Sequence, residues 1–252
     1  MARQRYGQHF LVNSAIAERE VSYASLRKDD VVLEIGPGKG IITNLLSQQA
    51  KQVIAIEIDA KLVEQLTKNL PSNVMLIRQD ALAVDFPSLP RFTKIVSNLP
   101  FEISSPITFK FLDSSFSKAV LMYQKDFALR LVALPGTKEY SRLTVAVYYK
   151  AYCRILEDVP RDNFDPAPNV DSCIVELILR QKPAFQVRNE KFFFDFTKLL
   201  FSHRRKKIRS TVKTMTHDYE TLPYLDHRVE ELTPEQIGSL SDTLWQLRNP
   251  QM

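Results

Sequence analysis

Residues 31–40, VVLEIGPGKG, constrain the fold of this chain more than any other stretch. Apolar residues in a buried-strand pattern run directly into three glycines, and a helical apolar pattern follows at Ile41, Ile42, Leu45 and Leu46. Such a turn opens nucleotide-type sites in α/β proteins, because glycines let the backbone approach a ligand and the N–H groups of the helix start face it. The stretch therefore predicts an α/β fold with a ligand site at this turn.

A carboxylate follows at a distance that suits such a site. The next strand pattern, VIAIEID at residues 53–59, reaches Glu57 about 20 positions after Gly36, where nucleotide-type folds place an acid for the ribose hydroxyls. Glu57 is therefore a candidate ribose ligand. The alternative, which has no ligand, is a plain turn between a strand and a helix.

The spacing of the loop narrows the ligand class. Lys39 is followed by Gly40 rather than by Ser or Thr, so the loop is not a P-loop. The spacing G-x-G-x-G at Gly36, Gly38 and Gly40 also differs from the G-x-G-x-x-G of dinucleotide sites. S-adenosylmethionine needs the ribose carboxylate but has no pyrophosphate to bind, and it is the cofactor we predict.

Strand patterns recur along the first part of the chain with helical patterns between them. They lie at 31–35, 53–57, 74–78, 94–97, 119–123, 154–159 and 173–179. Alternation of strands and helices indicates a mainly parallel sheet, whereas the last two strands are joined by a loop alone and are expected to pair antiparallel. We predict a seven-stranded, Rossmann-like sheet of the class I methyltransferase type, mostly parallel with the last strand antiparallel.

The C-terminal part has a different texture. From about residue 183 no strand pattern remains, so we predict a methyltransferase domain over 1–182 and a small helical domain over 183–252. Residues 198–213 contain seven basic residues and no acid, within a chain of net charge +5, and we predict a basic helix over 202–215. Such a run is either a solvated helix face or a contact for RNA phosphates, and the second is favoured here. The predicted phosphate contacts are Arg3, Arg5, Arg204, Arg205, Lys206, Lys207 and Arg209.

Composition excludes several other classes of protein. Cys153 and Cys173 lie in apolar patterns without CxxC spacing, which predicts reduced thiols rather than a disulfide or a metal site. There is no long apolar run and no signal-peptide pattern. We therefore expect a cytoplasmic protein with no membrane partner and no metal.

The stretch with the most specific chemistry is NLPF at residues 98–101, after the fourth strand. The side-chain oxygen of Asn98 and the carbonyl of Leu99 can both accept from an amino group on an aromatic ring, and Pro100 makes the turn rigid. Phe101 can stack on that ring, a contact worth about 1–3 kcal/mol. This combination suits the N6 amine of adenine, which is a poor nucleophile and gains from acceptors that favour its pyramidal form. In the alternative interpretation Asn98 caps a turn and Phe101 is a core residue.

Six motifs lie in order along the chain: GQHFL (7–11), LEIGPGKG (33–40), IEID (56–59), QDAL (79–82), NLPFEISSP (98–106) and FDPAPNVDS (164–172). With these motifs the chain resembles the KsgA-type ribosomal RNA adenine dimethyltransferases, whose relatives include the Erm methyltransferases and mitochondrial transcription factor B. The basic segment at 201–213 is also similar to the C-terminal helix of that family.

The resemblance implies a role for individual residues. His9, Leu11, Gly36, Gly38 and Glu57 match cofactor contacts, Asp80 matches the acid that accepts from the cofactor's adenine amine, and Asn98 matches the bridge between cofactor and target. Phe101 and Phe164 match the aromatic residues that hold the flipped target base between them. The family more often has Tyr at the position of Phe101, so a hydroxyl is missing here. Without the resemblance, Asp80 is equally well a helix cap, His9 a surface histidine and Phe164 a loop anchor.

The resemblance also implies the reaction and its substrate. We expect a monomeric, S-adenosylmethionine-dependent enzyme that dimethylates the N6 amines of two adjacent adenines in the 3′-terminal hairpin of small-subunit rRNA, within a pre-ribosomal particle. An Erm-like enzyme for large-subunit rRNA and a non-catalytic RNA-binding assembly factor are the alternatives. A nicotinamide dehydrogenase is disfavoured because NLPF has no role in hydride transfer.

Overall fold

The computed structural model describes residues 8–250, so the predicted phosphate contacts Arg3 and Arg5 lie outside the described residues. The chain forms two compact units. The first contains the residues up to Ala128 together with Tyr152–Leu179, and the second contains Leu129–Ala151 together with the chain from Arg180 onward.

The helices and strands alternate through the first unit and give way to helices in the second. In chain order they are β1 (Phe10–Leu11), α1 (Ser14–Tyr23), β2 (Val31–Ile35), α2 (Ile41–Gln49), β3 (Gln52–Glu57), α3 (Ala60–Thr67), β4 (Val74–Arg78), β5 (Lys94–Asn98), α4 (Ser104–Leu112), β6 (Lys118–Gln124), α5 (Lys125–Leu131), α6 (Arg142–Lys150), β7 (Ala151–Val159), β8 (Phe164–Asp165), β9 (Ser172–Leu179), α7 (Glu190–Ser202), α8 (Ile208–Val212) and α9 (Pro234–Arg248).

A seven-stranded sheet in the order β4-β3-β2-β5-β6-β9-β7 forms the core of the first unit. The pairs β3–β4, β2–β3, β2–β5 and β5–β6 are parallel, and β9 runs antiparallel to β6. The predicted sheet is therefore confirmed, including its antiparallel last strand. Strands such as β6, with the run AVLMY, are continuously apolar because helices cover both faces of a parallel sheet.

One strand pairing was not anticipated from the sequence. Strand β1 pairs antiparallel with β8, with Phe10 opposite Asp165 and Leu11 opposite Phe164. The N–H of Val12 extends this pairing by donating to the carbonyl of Asn163 at 2.9 Å. Two motifs that lie about 150 residues apart in the chain are therefore neighbours in space, and a two-residue strand has no periodicity from which to predict it.

The second unit begins within the part of the chain that the sequence assigned to the sheet domain. Residues 129–151 belong to the helical unit, which differs from the predicted division into 1–182 and 183–252. The physical reason is the apolar face of α6, because Val145 and Tyr149 are buried in one cluster with Phe193 and Phe196 of α7. A capping box opens α9, with the Thr233 hydroxyl accepting from the Gln236 N–H at 3.3 Å.

The predicted basic helix over 202–215 is wrong. Helix α7 ends at Ser202, turns follow, and only Ile208–Val212 is helical. Arg204 explains the break, because its guanidinium donates to the carbonyls of Lys138 (2.7 Å) and Thr137 (2.8 Å) and to the carboxylate of Glu230. These contacts hold the segment in a turn, and they join residues that no local sequence pattern connects.

Both cysteines are free thiols, as predicted. Cys173 lies on β9, where its thiol donates to the carboxylate of Asp158 at 3.0 Å. Burial is the largest cause that raises the pKa of the Cys173 thiol to about 12. A thiol with so high a pKa carries little thiolate at neutral pH and is unreactive.

Candidate active site

A cavity of about 270 Å³ lies in the first unit at the carboxyl ends of the parallel strands. Ligands bind at this edge of open α/β sheets, next to the point where the strand order reverses, which here is between β2 and β5. The segments that follow β2, β3, β4 and β5 all contribute to the cavity wall, and residues 8–11 contribute from the N-terminal side. The cavity contains most of the predicted site residues: His9, Leu11, Gly36, Gly38, Glu57, Asp80, Asn98, Leu99, Pro100 and Phe101.

The loop after β2 requires glycine at two positions, where any other residue would have a strained backbone and a crowded Cβ. Gly36 has φ +70°, and a Cβ there would lie 3.0 Å from Cγ of Pro100. Gly38 has φ +58°, and its Cβ would lie 3.1 Å from the ring of Phe10. Both backbones are in the left-handed region that favours glycine. The loop is therefore open to a ligand on one side and closely packed on the other.

Glu57 stands at the end of β3 with both carboxylate oxygens fixed. One oxygen accepts from the N–H of Gly38 at 3.3 Å and the other from the N–H of Asp59 at 2.9 Å. The side chain is buried, and this burial is the main cause that raises the pKa of Glu57 above its ordinary value. A fixed and poorly solvated carboxylate is suited to accept hydrogen bonds from a pair of hydroxyls, because little solvent competes for it.

Asp80 follows β4 and combines the two roles considered for it. Its Oδ1 accepts from the N–H of Leu82 at 2.9 Å, which closes a short turn, and the residue also lines the cavity. The side chain is exposed. Capping and ligand binding are compatible here, because a carboxylate has acceptor sites on two oxygens.

The NLPF stretch forms the part of the cavity wall next to the glycine loop. Asn98 ends β5, Leu99 is buried, and Phe101 begins a short 3₁₀ turn that leads into α4. The ring of Phe101 is half-buried and stacks with the ring of His9 at a centroid distance of 5.7 Å. Phe101 is thus an aromatic wall of the cavity rather than a core residue.

The N-terminal segment is held against the cavity by the loop that contains β8. The Nδ1–H of His9 donates to the carbonyl of Pro166 at 2.7 Å. Leu11 is buried in the core next to β8, and it also lines the cavity. His9 is therefore part of the site rather than an isolated surface histidine.

Phe164 does not take the position that its predicted role requires. Its side chain is 4% exposed, belongs to the hydrophobic core of the first unit, and is absent from the cavity wall formed by the described residues. The pairing of β8 with β1 turns this ring into the core beside Leu11. Among the described residues, the aromatic side chains at the cavity wall are His9, Phe10 and Phe101. Stacking of a target base on Phe164 stays a prediction that the geometry does not support.

Several residues of the cavity were not singled out from the sequence. Ile58 is an apolar side chain that remains 44% exposed at the cavity, which suits the face of an adenine ring. A signal existed, because Ile58 directly follows Glu57 in the strand-end motif IEID. Lys39 also lines the cavity, with its ammonium 4.7 Å from the ring centroid of Phe10.

A buried carboxyl also lines the cavity. Glu34 on β2 is 2% exposed, and burial raises the pKa of Glu34 to about 8. Glu20 of α1 is fully buried, and burial together with the charge of Glu34 raises the pKa of Glu20 in the same direction. No hydrogen-bond partner within the described chain satisfies either oxygen of Glu20. The neutral forms of both groups are favoured, because burial penalises the charged forms.

Some cations of the basic segment in the second unit form ion pairs, and others have no ion pair among the described residues. Lys207 and Arg209 both pair with Asp226, at 3.3 and 2.9 Å. Arg205 and Lys206 are exposed, as the predicted phosphate contacts would need to be. The acids that follow in sequence thus fold back onto part of the basic run.

Residues 8–250 contain neither a helix long and apolar enough to cross a membrane nor a group of three or more His, Cys, Asp or Glu side chains arranged to hold a metal ion.

Comparison with known proteins gives consistent matches over nearly the whole chain. The family model described as ribosomal RNA adenine dimethylase matches residues 1–245. A probable ribosomal RNA small subunit methyltransferase A from Methanosarcina acetivorans is 43% identical over 258 residues, covering 97% of this chain and 94% of that protein.

Two solved structures are similar along most of their length. A dimethyladenosine transferase from Plasmodium falciparum has a TM-score of 0.79 and 29% identity, covering 92% of this chain and 96% of that one. The 23S rRNA methyltransferase ErmE has a TM-score of 0.69 and 28% identity, covering 94% of this chain and all (100%) of that one.

Proposed function

Because the chain belongs to the ribosomal RNA adenine dimethylase family and is an rRNA adenine dimethyltransferase, we propose that it dimethylates two adjacent adenines in the 3′-terminal hairpin of small-subunit rRNA. Family membership and the class I methyltransferase fold imply dependence on S-adenosylmethionine. We also propose where the cofactor lies, what individual residues do and which RNA is the target.

The residues of the cavity fit this cofactor. The glycine loop lines the cavity through Gly36 and Gly38, and the fixed carboxylate of Glu57 suits the two ribose hydroxyls. Asp80 offers an acceptor for the amino group of the cofactor's adenine, and the exposed side chain of Ile58 offers an apolar surface for its ring. His9 and Leu11 would contact the other end of the cofactor.

The observation that best supports this reaction is that Asn98 and Phe101 both line the cavity. The bound cofactor supplies an electrophilic methyl group on a sulfonium. The Asn98 side-chain oxygen and the Leu99 carbonyl accept from the N6 amine of the target and aim its lone pair into the cavity, while Phe101 supports the base. Positioning and fixed dipoles supply the acceleration, so no strong base or covalent intermediate is needed.

Two kinds of evidence support the proposed RNA target: the named relatives and the chemistry of RNA. The archaeal relative is named as a small-subunit enzyme and is 43% identical, whereas ErmE, named as a 23S rRNA enzyme, is 28% identical. Adenines in a hairpin loop are accessible because unstacking them costs little. We propose that Arg205 and Lys206 hold RNA phosphates, and that the protein acts as a cytoplasmic monomer on a pre-ribosomal particle.

The test is transfer of labelled methyl groups from S-adenosylmethionine to immature small ribosomal subunits and, separately, to free large-subunit rRNA. Digestion and mass spectrometry identify the modified nucleoside and its position. We expect N6,N6-dimethyladenosine at two adjacent positions of the small-subunit hairpin and no label in the large-subunit RNA.

The opposite results have distinct meanings. Label in the large-subunit RNA alone would replace the proposed target with an Erm-like one. Cofactor binding without transfer to either RNA, under conditions in which the Methanosarcina relative is active, would favour a non-catalytic assembly factor. Small-subunit rRNA stripped of protein serves as a further substrate that tests the need for a particle.

A further inference from the structure

The loop that contains Asp80 is tied to helix α4 by one lysine. The ammonium of Lys110 donates to the carbonyls of Ala81 at 2.9 Å and Leu82 at 3.0 Å, and also to the carbonyl of Val84. All three acceptors belong to the turn directly after Asp80, more than 25 residues away in sequence. Since an ammonium has three donors, these carbonyls use all of them.

The turn after Asp80 depends on its contacts with Lys110, because hydrogen bonds within the turn involve its N–H groups and not the three carbonyls that Lys110 binds. The carbonyl of Asp80 accepts from the N–H groups of Ala83 (2.9 Å) and Val84 (3.1 Å), and its Oδ1 accepts from Leu82. The N–H groups of the turn thus point back to Asp80. The carbonyls that Lys110 binds would otherwise depend on solvent or remain unpaired, which is costly for partly buried groups.

Helix α4 gives Lys110 a fixed base. Ile107 and Phe111 are fully buried, and the hydroxyl of Thr108 lies 2.7 Å from the hydroxyl of Tyr123 in β6. The ammonium also lies 4.3 Å from the ring centroid of Phe86, which favours a cation at this point. The helix begins at Ser104, directly after the 3₁₀ turn of Phe101. Lys110 therefore links the turn after Asp80 to the helix that follows the NLPF stretch.

We propose that Lys110 is a positioning residue that places Asp80 and thereby sets the selectivity of the cofactor site for an adenine base. The inference rests on the proposed function, in which Asp80 accepts from the amino group of the cofactor's adenine. Loss of the ammonium frees the turn of Asp80 while the glycine loop and Glu57 remain in place. Affinity for the ribose part is retained, and discrimination at the base is lost.

Calorimetry with two ligands tests this proposal. S-adenosylhomocysteine carries the adenine amino group, and S-inosylhomocysteine has a carbonyl oxygen there. A hydrogen bond to a charged acceptor is worth about 1.5–3 kcal/mol, so we expect the wild type to prefer the adenosyl ligand by at least about tenfold. K110M keeps the length of the side chain without its donors and should bring this ratio close to one, and K110R should recover part of it.

Three further variants separate positioning from general stability. Lys118 is a matched control, because its ammonium also ties together distant parts of the first unit, through Glu176 at 2.9 Å and the carbonyl of Tyr23 at 3.2 Å, without lining the cavity. K118M should lower the melting temperature and leave the ligand ratio unchanged. D80A should lose the ratio, and adding K110M to D80A should have no further effect on it.

The outcomes separate the two hypotheses. Suppose that D80A loses the preference for the adenosyl ligand. If K110M then keeps the wild-type affinity ratio, or loses affinity for both ligands equally, the role of Lys110 is overturned and the proposed function stands. A wild-type ratio in D80A overturns the proposed contact of Asp80 with the adenine, and with it this inference.

Discussion

Pro100 lies directly against the backbone of Gly36, so close that a Cβ on Gly36 would be 3.0 Å from Cγ and 3.2 Å from Cδ of the proline ring. The two residues belong to two motifs that line the cavity, the glycine loop after β2 and the NLPF stretch after β5. Their strands are neighbours in the sheet. The glycine loop and the NLPF stretch are thus packed against each other.

The first prediction concerns this contact. Gly36→Ala should reduce affinity for S-adenosylmethionine at least tenfold, because the left-handed backbone costs about 1–2 kcal/mol for a residue with a Cβ and the loop must also move away from Pro100. Gly136→Ala is the matched control, since Gly136 has φ +83° but no atom within 4 Å of the added Cβ. It should lose stability and keep wild-type affinity. Equal affinities in the two variants would show that the contact with Pro100 is unimportant.

Asn98 provides a test of the chemical step. Asn98→Ala should bind S-adenosylmethionine with nearly unchanged affinity and lower the rate of methyl transfer by about 10²–10³, the usual effect of removing one group that stabilises a transition state. Asn73→Ala removes an amide that bonds the carbonyls of Ser47 and Ala50 outside the cavity, and should affect only stability. Near-wild-type transfer by Asn98→Ala would refute the proposed role.

The two phenylalanines should respond differently to truncation. Phe164→Ala should cost about 3–5 kcal/mol of unfolding free energy, because it leaves a cavity in the core. Phe101→Ala should unfold at nearly the wild-type denaturant concentration and lose methyl transfer, because its ring is at the cavity wall. Denaturant titrations and single-turnover assays of both variants make the comparison. A fully stable but inactive Phe164→Ala would instead favour the stacking role predicted from the sequence.

Arg205 and Lys206 should account for more of the RNA affinity than Lys207 and Arg209, which pair with Asp226. The double variant Arg205→Gln/Lys206→Gln should lower the slope of log affinity against log salt by about 1 for each phosphate contact removed. Lys207→Gln/Arg209→Gln removes the same charge, but from residues already paired with Asp226, and should change the slope less. Filter binding to the rRNA hairpin over a range of salt concentrations measures both. Equal slopes in the two double variants would show that the pairing with Asp226 is irrelevant to RNA binding.

Stability should fall as the pH rises from about 5 to about 8. The pKa of Glu34 is about 8 in the folded protein against an ordinary 4.5, so over this interval the folded state holds a proton that the unfolded state has released. The contribution of Glu34 is complete below its unfolded pKa and is lost as the pH approaches its folded pKa. The raised pKa values of Glu20 and Glu57 act in the same direction.

Urea denaturation at several pH values measures this effect. Glu34→Gln should flatten the decline, because an amide has no proton to release. Asp29→Asn is a suitable control, since Asp29 is exposed. A wild-type profile that is level or rises over the interval would contradict the prediction.

Much of the fold could be predicted because it follows from local patterns. The seven strands of the sheet were predicted from runs such as residues 31–35 and 74–78, whose bounds agree with β2 and β4. The last two strands, β7 and β9, are neighbours in the sheet, as the loop between them predicted, and β9 also pairs antiparallel with β6. The site residues at strand ends were also predictable, since parallel strands bring their carboxyl ends to one edge of the sheet.

The differences between prediction and structure arise from contacts between distant parts of the chain. The segment at 204–209 is basic and free of acids in sequence, yet Glu230 pairs with Arg204 in the turns after α7, and Asp226 pairs with Arg209 at the start of α8. Phe164 is in a motif that suggests a ligand contact, yet the pairing of β8 with β1 directs it into the core. The apolar face of α6 could have joined either domain, and its packing against α7 decided the matter.

The sequence by itself determined the α/β sheet and most of the residues at the cavity. Strand periodicity, glycine loops and the side chains at strand ends are local features, which residues close together in the chain specify. Only the tertiary structure decided which cations remain exposed, which aromatic rings face the cavity and which lysine holds Asp80 in place. Charge pairing, burial and the capping of distant carbonyls depend on residues that folding brings together from more than 15 positions apart, such as Arg209 with Asp226. That information is absent from any local window of the sequence.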